Sequence, residues 1–352
     1  MLPSLYRLES EGQTMRQILM TKSGGVEVLK IQEVDEPRPG VEEVRIDVKA
    51  VGINFADILA RKGIYPDAPK KPCVVGYEVS GTVESVGEGV DPSLLGVPVI
   101  AALRFGGYAE KVLAPISHVF KKPESLSFQQ GVAVPVNYLT SYLLLVVMGS
   151  LKKNERLLIH NAGSGVGLAA LDIAKHIGAV AYGTASAHKH AFLRKRGFME
   201  VMDYRQHEWL EDARKITDGQ GFELIIDPIG GKNTWKSYRA LARTGQLGLF
   251  GLATATQTQW GVKLNLVKTV LQMRRFHPVR LMNANKGIFG VNIGHMWAFE
   301  EKMRNWLKEI IQGVEEGWVN PHVDRTFPFD EVASAHSYIE NRRNIGKVVL
   351  VP

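Results

Sequence analysis

The segment from Leu157 to Ile177 constrains the fold of this chain more than any other. It opens with a short β-rich run, Leu157-Leu158-Ile159-His160, and continues into the turn Asn161-Ala162-Gly163-Ser164-Gly165-Val166-Gly167. Val166, Ala169, Ala170, Ile173, Ala174 and Ile177 then recur at helical spacing. A glycine-rich turn between strand and helix lets backbone N–H groups approach a pyrophosphate at the positive helix end. In the G-x-G-x-x-G register, Ala162 and Ser164 replace the first two glycines and Gly167 keeps the third. Alone, such a turn is a weak signal. Here it is followed by the runs Val180-Ala181-Tyr182-Gly183, Val201-Met202-Asp203, Glu223 to Asp227 and Gln246 to Phe250, separated by helical patterns. That alternation predicts an α/β fold, a Rossmann doubly wound parallel sheet with the glycine turn at its first crossover.

The end of the second strand decides which dinucleotide such a fold takes. A carboxylate there would accept the ribose 2′-OH of NAD and repel a 2′-phosphate. The chain reads Gly183-Thr184-Ala185-Ser186-Ala187-His188-Lys189 and carries none. Ser186 can donate to a phosphate oxygen, Lys189 adds positive charge a turn later, and Tyr204 with Arg205 follows the third strand. NADPH is the expected cofactor. The plain alternative makes Lys189 part of a solvated helix face, the reading preferred for Arg194-Lys195-Arg196.

With 352 residues, 45% of them hydrophobic, the chain is long enough for two packed domains with a cleft between them. Before the Rossmann segment come short strand candidates: Val44 to Val51, Val74-Val75, Val79 to Val86, Val97 to Ala101 and Tyr108 to Val112. They predict a compact β-rich domain covering 15–135. The tail, 296–352, gives helical patterns and then Val348-Val349-Leu350-Val351, a strand expected to pair back with that domain. The Rossmann domain is assigned to 136–295, and residues 1–14 are read as a disordered extension.

One cysteine, Cys73, excludes an intrachain disulfide and any multi-cysteine metal site. The apolar run Tyr138 to Met148 is shorter than the roughly 20 residues a membrane-crossing helix needs. A cytoplasmic location is expected. A formal net charge of +7 suits an anionic partner, whether phosphorylated cofactor, nucleic acid or membrane surface, and does not choose among them.

Several longer segments resemble one family. They are Ala50-Val51-Gly52-Ile53-Asn54-Phe55-Ala56-Asp57, Arg61-Lys62-Gly63-Ile64-Tyr65, Gly76-Tyr77-Glu78-Val79-Ser80-Gly81-Thr82-Val83, Val136-Asn137-Tyr138-Leu139-Thr140-Ser141-Tyr142, Gly183-Thr184-Ala185-Ser186, and Asn344-Ile345-Gly346-Lys347 through Pro352. The chain resembles the zinc-free quinone oxidoreductase branch of the medium-chain dehydrogenase/reductases, closest to the vesicle amine transport protein homologue group. The resemblance implies that the β-rich domain is GroES-like. Zinc alcohol dehydrogenases of the same superfamily have a Cys where this chain has Asn54 and a His where it has Tyr77. Asp57 and Glu78 remain, but two carboxylates without thiolate or imidazole do not make a tetrahedral zinc site. Asp57 is read as a helix or turn partner, Glu78 as a buried hydrogen-bonding carboxylate.

Without a Lewis acid a simple alcohol is hard to oxidise, whereas a quinone or α,β-unsaturated carbonyl accepts hydride with hydrogen-bond help alone. Candidate donors are Asn54, Tyr65, Tyr138 and Thr140. Tyr65 lies eleven residues after Asn54, the spacing at which the resembling enoyl thioester reductases have a tyrosine proposed as proton donor. The resemblance further implies that Asn54, Gly251, Phe289, Gly290 and Val291 contact the nicotinamide half, that Asn344 and Lys347 reach the cofactor phosphates, and that the strand Ile288 to Ile293 pairs two copies into a homodimer. Substrate size would be set by the loops Ile64 to Lys71, Leu103 to Gly107 and Thr254 to Val262.

A second reading keeps the cofactor site but makes the chain a lipid-, membrane- or RNA-binding protein with little turnover. The run Arg274-Arg275-Phe276-His277-Pro278-Val279-Arg280 supports it by mixing cations with an aromatic. A zinc alcohol dehydrogenase is the third reading, opposed by the ligands missing at Asn54 and Tyr77.

Overall fold

Along Glu43–Ile53, Val44, Ile46, Val48 and Ala50 are buried while the residues between them reach solvent, the period of a strand with one face on a core. This strand is the hub of the first domain in the computed structural model, which describes residues 13–205, 208–256, 261–273 and 276–352. The strands in chain order are β1 (Thr14–Met20), β2 (Leu29–Asp35), β3 (Glu43–Ile53), β4 (Cys73–Val74), β5 (Glu78–Val86), β6 (Pro98–Ala102), β7 (Lys111–Pro115) and β8 (Val119–Lys121). The parallel sheet follows with β9 (Arg156–His160), β10 (Val180–Ala185), β11 (Glu200–Asp203), β12 (Phe222–Asp227), β13 (Leu241–Leu249) and β14 (Gly287–Gly290). The tail adds β15 (Val323–Pro328) and β16 (Lys347–Val351).

β3 pairs with β5, β7 and β16, in the sheet order β15-β16-β3-β5-β6-β8 with β7 on β3. A separate sheet runs β2-β1-β4. The terminal strand therefore returns to the first domain, Val348 opposite Ile53 and Leu350 opposite Val51. Thr14 already belongs to β1, so the fold begins inside the expected extension, and residues 1–12 of that extension lie outside the described residues.

The second sheet is parallel throughout, in the order β11-β10-β9-β12-β13-β14. The chain builds outward from β9 in one direction and then from β12 in the other, so the switch lies between them, where α/β sheets bind ligands. β9 is central and sealed on both faces, which is why Leu157, Leu158 and Ile159 form an unbroken apolar run. One face is covered by Tyr138, Leu139, Leu171 and Ile173, the other by Trp209, Leu210 and Tyr238. The helix Glu300–Glu315 sends Met303, Leu307 and Ile310 into the first of these clusters, so the tail serves both halves.

β14 ends at Gly290, short of the expected Ile293, because Ile293–Phe299 winds into a 3₁₀ segment. Among the described residues, Phe128–Val147 is long and apolar enough to cross a membrane, longer than the run noted in the sequence. Its most apolar stretch is 78% buried within the protein, as in a core helix.

Candidate functional site

The glycine turn is held by its own side chains and by the C-terminal tail. Ser164 caps the helix Gly165–Ile177, its Oγ accepting the Gly167 N–H at 3.0 Å, and Gly178 closes the helix at φ 81°. A Cβ on Gly167 would stand 2.5 Å from the Ala162 carbonyl oxygen, so only glycine lets the helix start this close to the strand. Ala162 is buried and its N–H donates to the Thr184 carbonyl at 3.1 Å. Val166 packs on the core, and its carbonyl accepts the Ser141 hydroxyl at 2.9 Å. The tail closes over the turn where the Gly346 N–H donates to the Gly163 carbonyl at 2.9 Å.

Beside the turn, hydroxyls and cations converge. Ser186 Oγ lies 3.4 Å from Tyr204 Oη, which accepts from Arg342 Nη1 at 3.3 Å. Arg205 sits over the Tyr204 ring, 5.8 Å from its centroid. Lys189 reaches the Asn344 carbonyl. Burial raises the Tyr204 phenol, but the bonds from Ser186 and Arg342 and the guanidinium charge outweigh it and leave the group below its ordinary value. Burial lowers Lys189. Two ingredients for an anion are thus present, fixed hydroxyl donors and incompletely compensated positive charge. Arg342 was not singled out in the sequence. Its signal was the cationic pair Arg342-Arg343 flanking Asn344, but placing it against Tyr204 needs a contact across 138 residues.

Three residues far apart in sequence meet where β3, β5 and β16 adjoin. Asn54 Nδ2 donates to Glu78 Oε1 at 2.9 Å, Lys347 Nζ donates to Asn54 Oδ1 at 2.7 Å, and the same ammonium is paired with Glu78. Glu78 also accepts the Val136 N–H at 2.8 Å. Lys347 is 2% exposed and Glu78 0%, so the pair is fully desolvated. The structure thus corrects the placement of Lys347 on the cofactor phosphates: its charge is consumed by Glu78. Asn54 has its amide fixed at both ends. Its N–H donates to Asp57 Oδ2 at 2.7 Å at the start of the helix Phe55–Arg61. Asp57 further accepts the Gly76 N–H and the Tyr108 hydroxyl, each at 3.2 Å. Complete burial raises Asp57 to about 7.

Tyr65 and Tyr77 form the far wall. Their rings stand edge to face at 6.3 Å, and Tyr77 continues to Phe105 of the Leu103–Gly107 loop at 5.3 Å. The Tyr65 hydroxyl lies over Gly294, where a Cβ would be 2.9 Å away. Gly294 follows β14, and the neighbouring Asn292 and His295 bond Asp67 at 3.2 and 2.9 Å. The two halves thus meet at Tyr65–Asp67 and Asn292–His295, bringing Tyr65 to the segment that contains Gly290 and Val291. Burial raises the Tyr65 phenol above its ordinary value. Among the described residues no three His, Cys, Asp or Glu side chains gather in a way that could hold a metal.

Other candidates are placed differently. Tyr138 is 2% exposed and donates to Asp172 Oδ2 at 2.6 Å while accepting the Asn320 N–H at 3.1 Å. It braces two helices and the tail, which corrects its reading as a donor to the cofactor. Thr140 is buried on the same helix. The Thr184 hydroxyl bonds His160 Nδ1 at 2.9 Å inside the sheet, so it too is spent internally. The Asn344 side chain bonds the Gly346 carbonyl at 2.9 Å, and only its backbone carbonyl meets Lys189. Phe289 turns its ring against Gly248 and the core, and Gly251 packs on Pro228. The β14 edge continues through Val291, whose N–H donates to the Leu249 carbonyl at 2.8 Å.

Residues 40–124 match the alcohol dehydrogenase GroES-like domain and residues 196–350 the family described as zinc-binding dehydrogenase. The synaptic vesicle membrane protein VAT-1 homolog of Danio rerio is 34% identical over 345 residues, covering 97% of this chain and 71% of that protein. The quinone oxidoreductase of Homo sapiens is 29% identical over 341 residues, covering 96% and 98%. A mycobacterial protein solved in complex with NADPH superposes with a TM-score of 0.83 at 29% identity, covering 96% and 100%.

Proposed function

Because this chain belongs to the medium-chain dehydrogenase/reductase superfamily, a family of nicotinamide-dependent oxidoreductases, we propose that it reduces quinones or α,β-unsaturated carbonyls with NADPH and without zinc. The observation that carries NADPH is the group Ser186, Lys189, Tyr204 and Arg342 beside the glycine turn. In this reading Gly163 to Gly167 hold the pyrophosphate, Ser186 and the cations hold the 2′-phosphate, and Asn54, Gly251 and Gly290 to Val291 border the nicotinamide. The bound cofactor supplies a hydride. The chain's residues bind and orient it, exclude water with apolar and aromatic walls, and provide a proton from Tyr65, which stays protonated at neutral pH. Zinc independence rests on the side chains in the cleft: Asn54 is locked to Glu78 and Lys347, and Tyr77 is packed between aromatics.

Purified protein is expected to shift NADPH fluorescence and to oxidise NADPH with a quinone or enone. No binding at millimolar NADPH overturns the proposal. Turnover abolished by a zinc chelator and restored by zinc overturns its metal-free part. Cellular fractionation checks the cytoplasmic location that accompanies this reading.

The basic run gives the lipid- or RNA-binding alternative little support. Arg274 and Arg275 lie outside the described residues. Phe276 packs on Tyr238 at 5.0 Å and Arg280 lies over Trp235 at 5.4 Å, so the aromatic needed for stacking faces inward. The open edge of β14 and the exposed Leu264, Val267, Leu271, Val279 and Met282 suit a second copy of this chain, the homodimer partner in our reading. Light scattering is expected to give twice the chain mass, reduced to one by Leu271→Glu with Met282→Glu. A wild-type monomer at micromolar concentration rules the homodimer out.

A further inference from the structure

Tyr77 carries a buried hydroxyl with no partner in full hydrogen-bonding geometry among the described residues. The residue is 8% exposed. An unsatisfied buried hydroxyl costs about 1–3 kcal/mol, which makes its retention informative. Its ring is pinned by Tyr65 on one side and Phe105 on the other, at 6.3 and 5.3 Å, so the hydroxyl is held rigidly next to that of Tyr65. Tyr65 in turn is set over Gly294, where a Cβ would stand 2.9 Å from its hydroxyl.

We propose that Tyr77 is a positioning residue for proton delivery, donating a hydrogen bond to the Tyr65 oxygen when Tyr65 gives up its proton. The inference rests on the reductase reading above. Hydride addition leaves the acceptor one proton short. The Tyr65 O–H bond breaks, the proton forms a new bond to the acceptor, and the electron pair stays on Tyr65 as a phenolate. The Tyr77 O–H then supplies the bond that the phenolate needs, and a solvent proton restores Tyr65. The resting contact falls short of full hydrogen-bonding geometry and tightens in the charged state, the pattern expected of a group whose interaction strengthens during reaction.

The surrounding charges agree with this division. Burial raises both phenols, Tyr77 well above its ordinary value, and Asp57 and Asp67 raise them further. Tyr77 acts on Tyr65 in the opposite direction, as a donor that favours the phenolate. Asp67 itself faces His295, Asn292 and the charge of Arg104. The hydroxyl of Tyr77 is therefore the tyrosine-specific group opposing the acidic surroundings.

The test places a fluorinated tyrosine at position 65, which brings its titration into a range the fold tolerates. Fluorine NMR then follows it in the free protein with and without Tyr77→Phe. Loss of a bond to a charged oxygen is expected to move the midpoint up by about one to two units. In steady-state kinetics Tyr77→Phe should lower kcat about tenfold with KM changed less than twofold, and the losses from Tyr65→Phe and Tyr77→Phe should not multiply. An unmoved midpoint, or equal losses from Tyr77→Phe with Tyr65 and with Phe at position 65, overturns the proposal. If no acceptor is reduced, the reductase reading fails, and the midpoint alone decides whether the two phenols are paired.

Discussion

The two ends of the cleft are built on opposite electrostatic plans. At the glycine turn, Lys189, Arg342 and Arg205 gather around hydroxyls, with no carboxylate among the described residues bonded to any of their charged groups, and positive charge is left available. At the other end Glu78 and Lys347 cancel each other in full burial, and Asp57 is pushed by burial toward its neutral form. The first plan suits an anion. The second keeps Asn54 fixed by a self-neutralised pair, while burial and the nearby Asp67 raise the Tyr65 phenol and keep it protonated at neutral pH.

That contrast is most exposed to Glu78→Gln. Removing one member of a buried ion pair strands Lys347 and is expected to cost about 3–5 kcal/mol in chemical denaturation. Adding Lys347→Met should recover most of it. A cost below about 1 kcal/mol would mean that the pair is solvated and the contrast false.

Next in size, Lys189→Ala with Arg342→Ala should weaken NADPH binding at least about hundredfold in fluorescence titration while NADH changes little, because charge-assisted bonds contribute about 1.5–3 kcal/mol each. Equal weakening of both cofactors would move these residues away from the 2′-phosphate.

Tyr108 joins Asp57 to His336, whose Nε2 lies 3.0 Å from its hydroxyl. Tyr108→Phe should cost about 1–3 kcal/mol. Burial, followed by the Arg61 charge, lowers His336 to about 3. Its folded value lies below the unfolded one, near 6.5, so its contribution is complete above that pH and is lost as pH falls toward 3. Asp57 has the opposite sign: its contribution, full at acid pH, is lost as pH rises through about 7. Denaturation midpoints from pH 4 to 8 should therefore show a shallow dependence that His336→Gln tilts toward acid stability. An unchanged slope would remove His336 from this support.

The smallest effect separates the two ends by salt. Raising salt to about 0.5 M should weaken NADPH binding a few-fold by screening the less buried Arg342 and Arg205 and leave the Glu78→Gln penalty unchanged, since buried charges are screened far less. Parallel loss of both would erase the distinction.

That the glycine turn, Ser186, Lys189 and Tyr204 come together at one end was legible because each sits at a fixed offset from a strand whose period the sequence displays. Tyr138 misled because a tyrosine in an apolar helix shows its ring in the sequence but not its partner, here Asp172 thirty-four residues on. Lys347 misled for the same reason: its nearness to the tail was visible, its neutralisation by Glu78 across 269 residues was not. The strand ending at Gly290 was read too long because nothing local in Val291 to Ile293 forbids extension.

By itself the sequence determined the parallel sheet, its first crossover turn, the missing carboxylate after β10 and the return of the last strand. These follow from short-range periodicity and backbone chemistry. The tertiary structure alone decided which charges are cancelled, which hydroxyls are occupied, and that the Tyr77 hydroxyl stands beside Tyr65. Solvation and pairing depend on neighbours brought together from distant parts of the chain, and no local pattern encodes them.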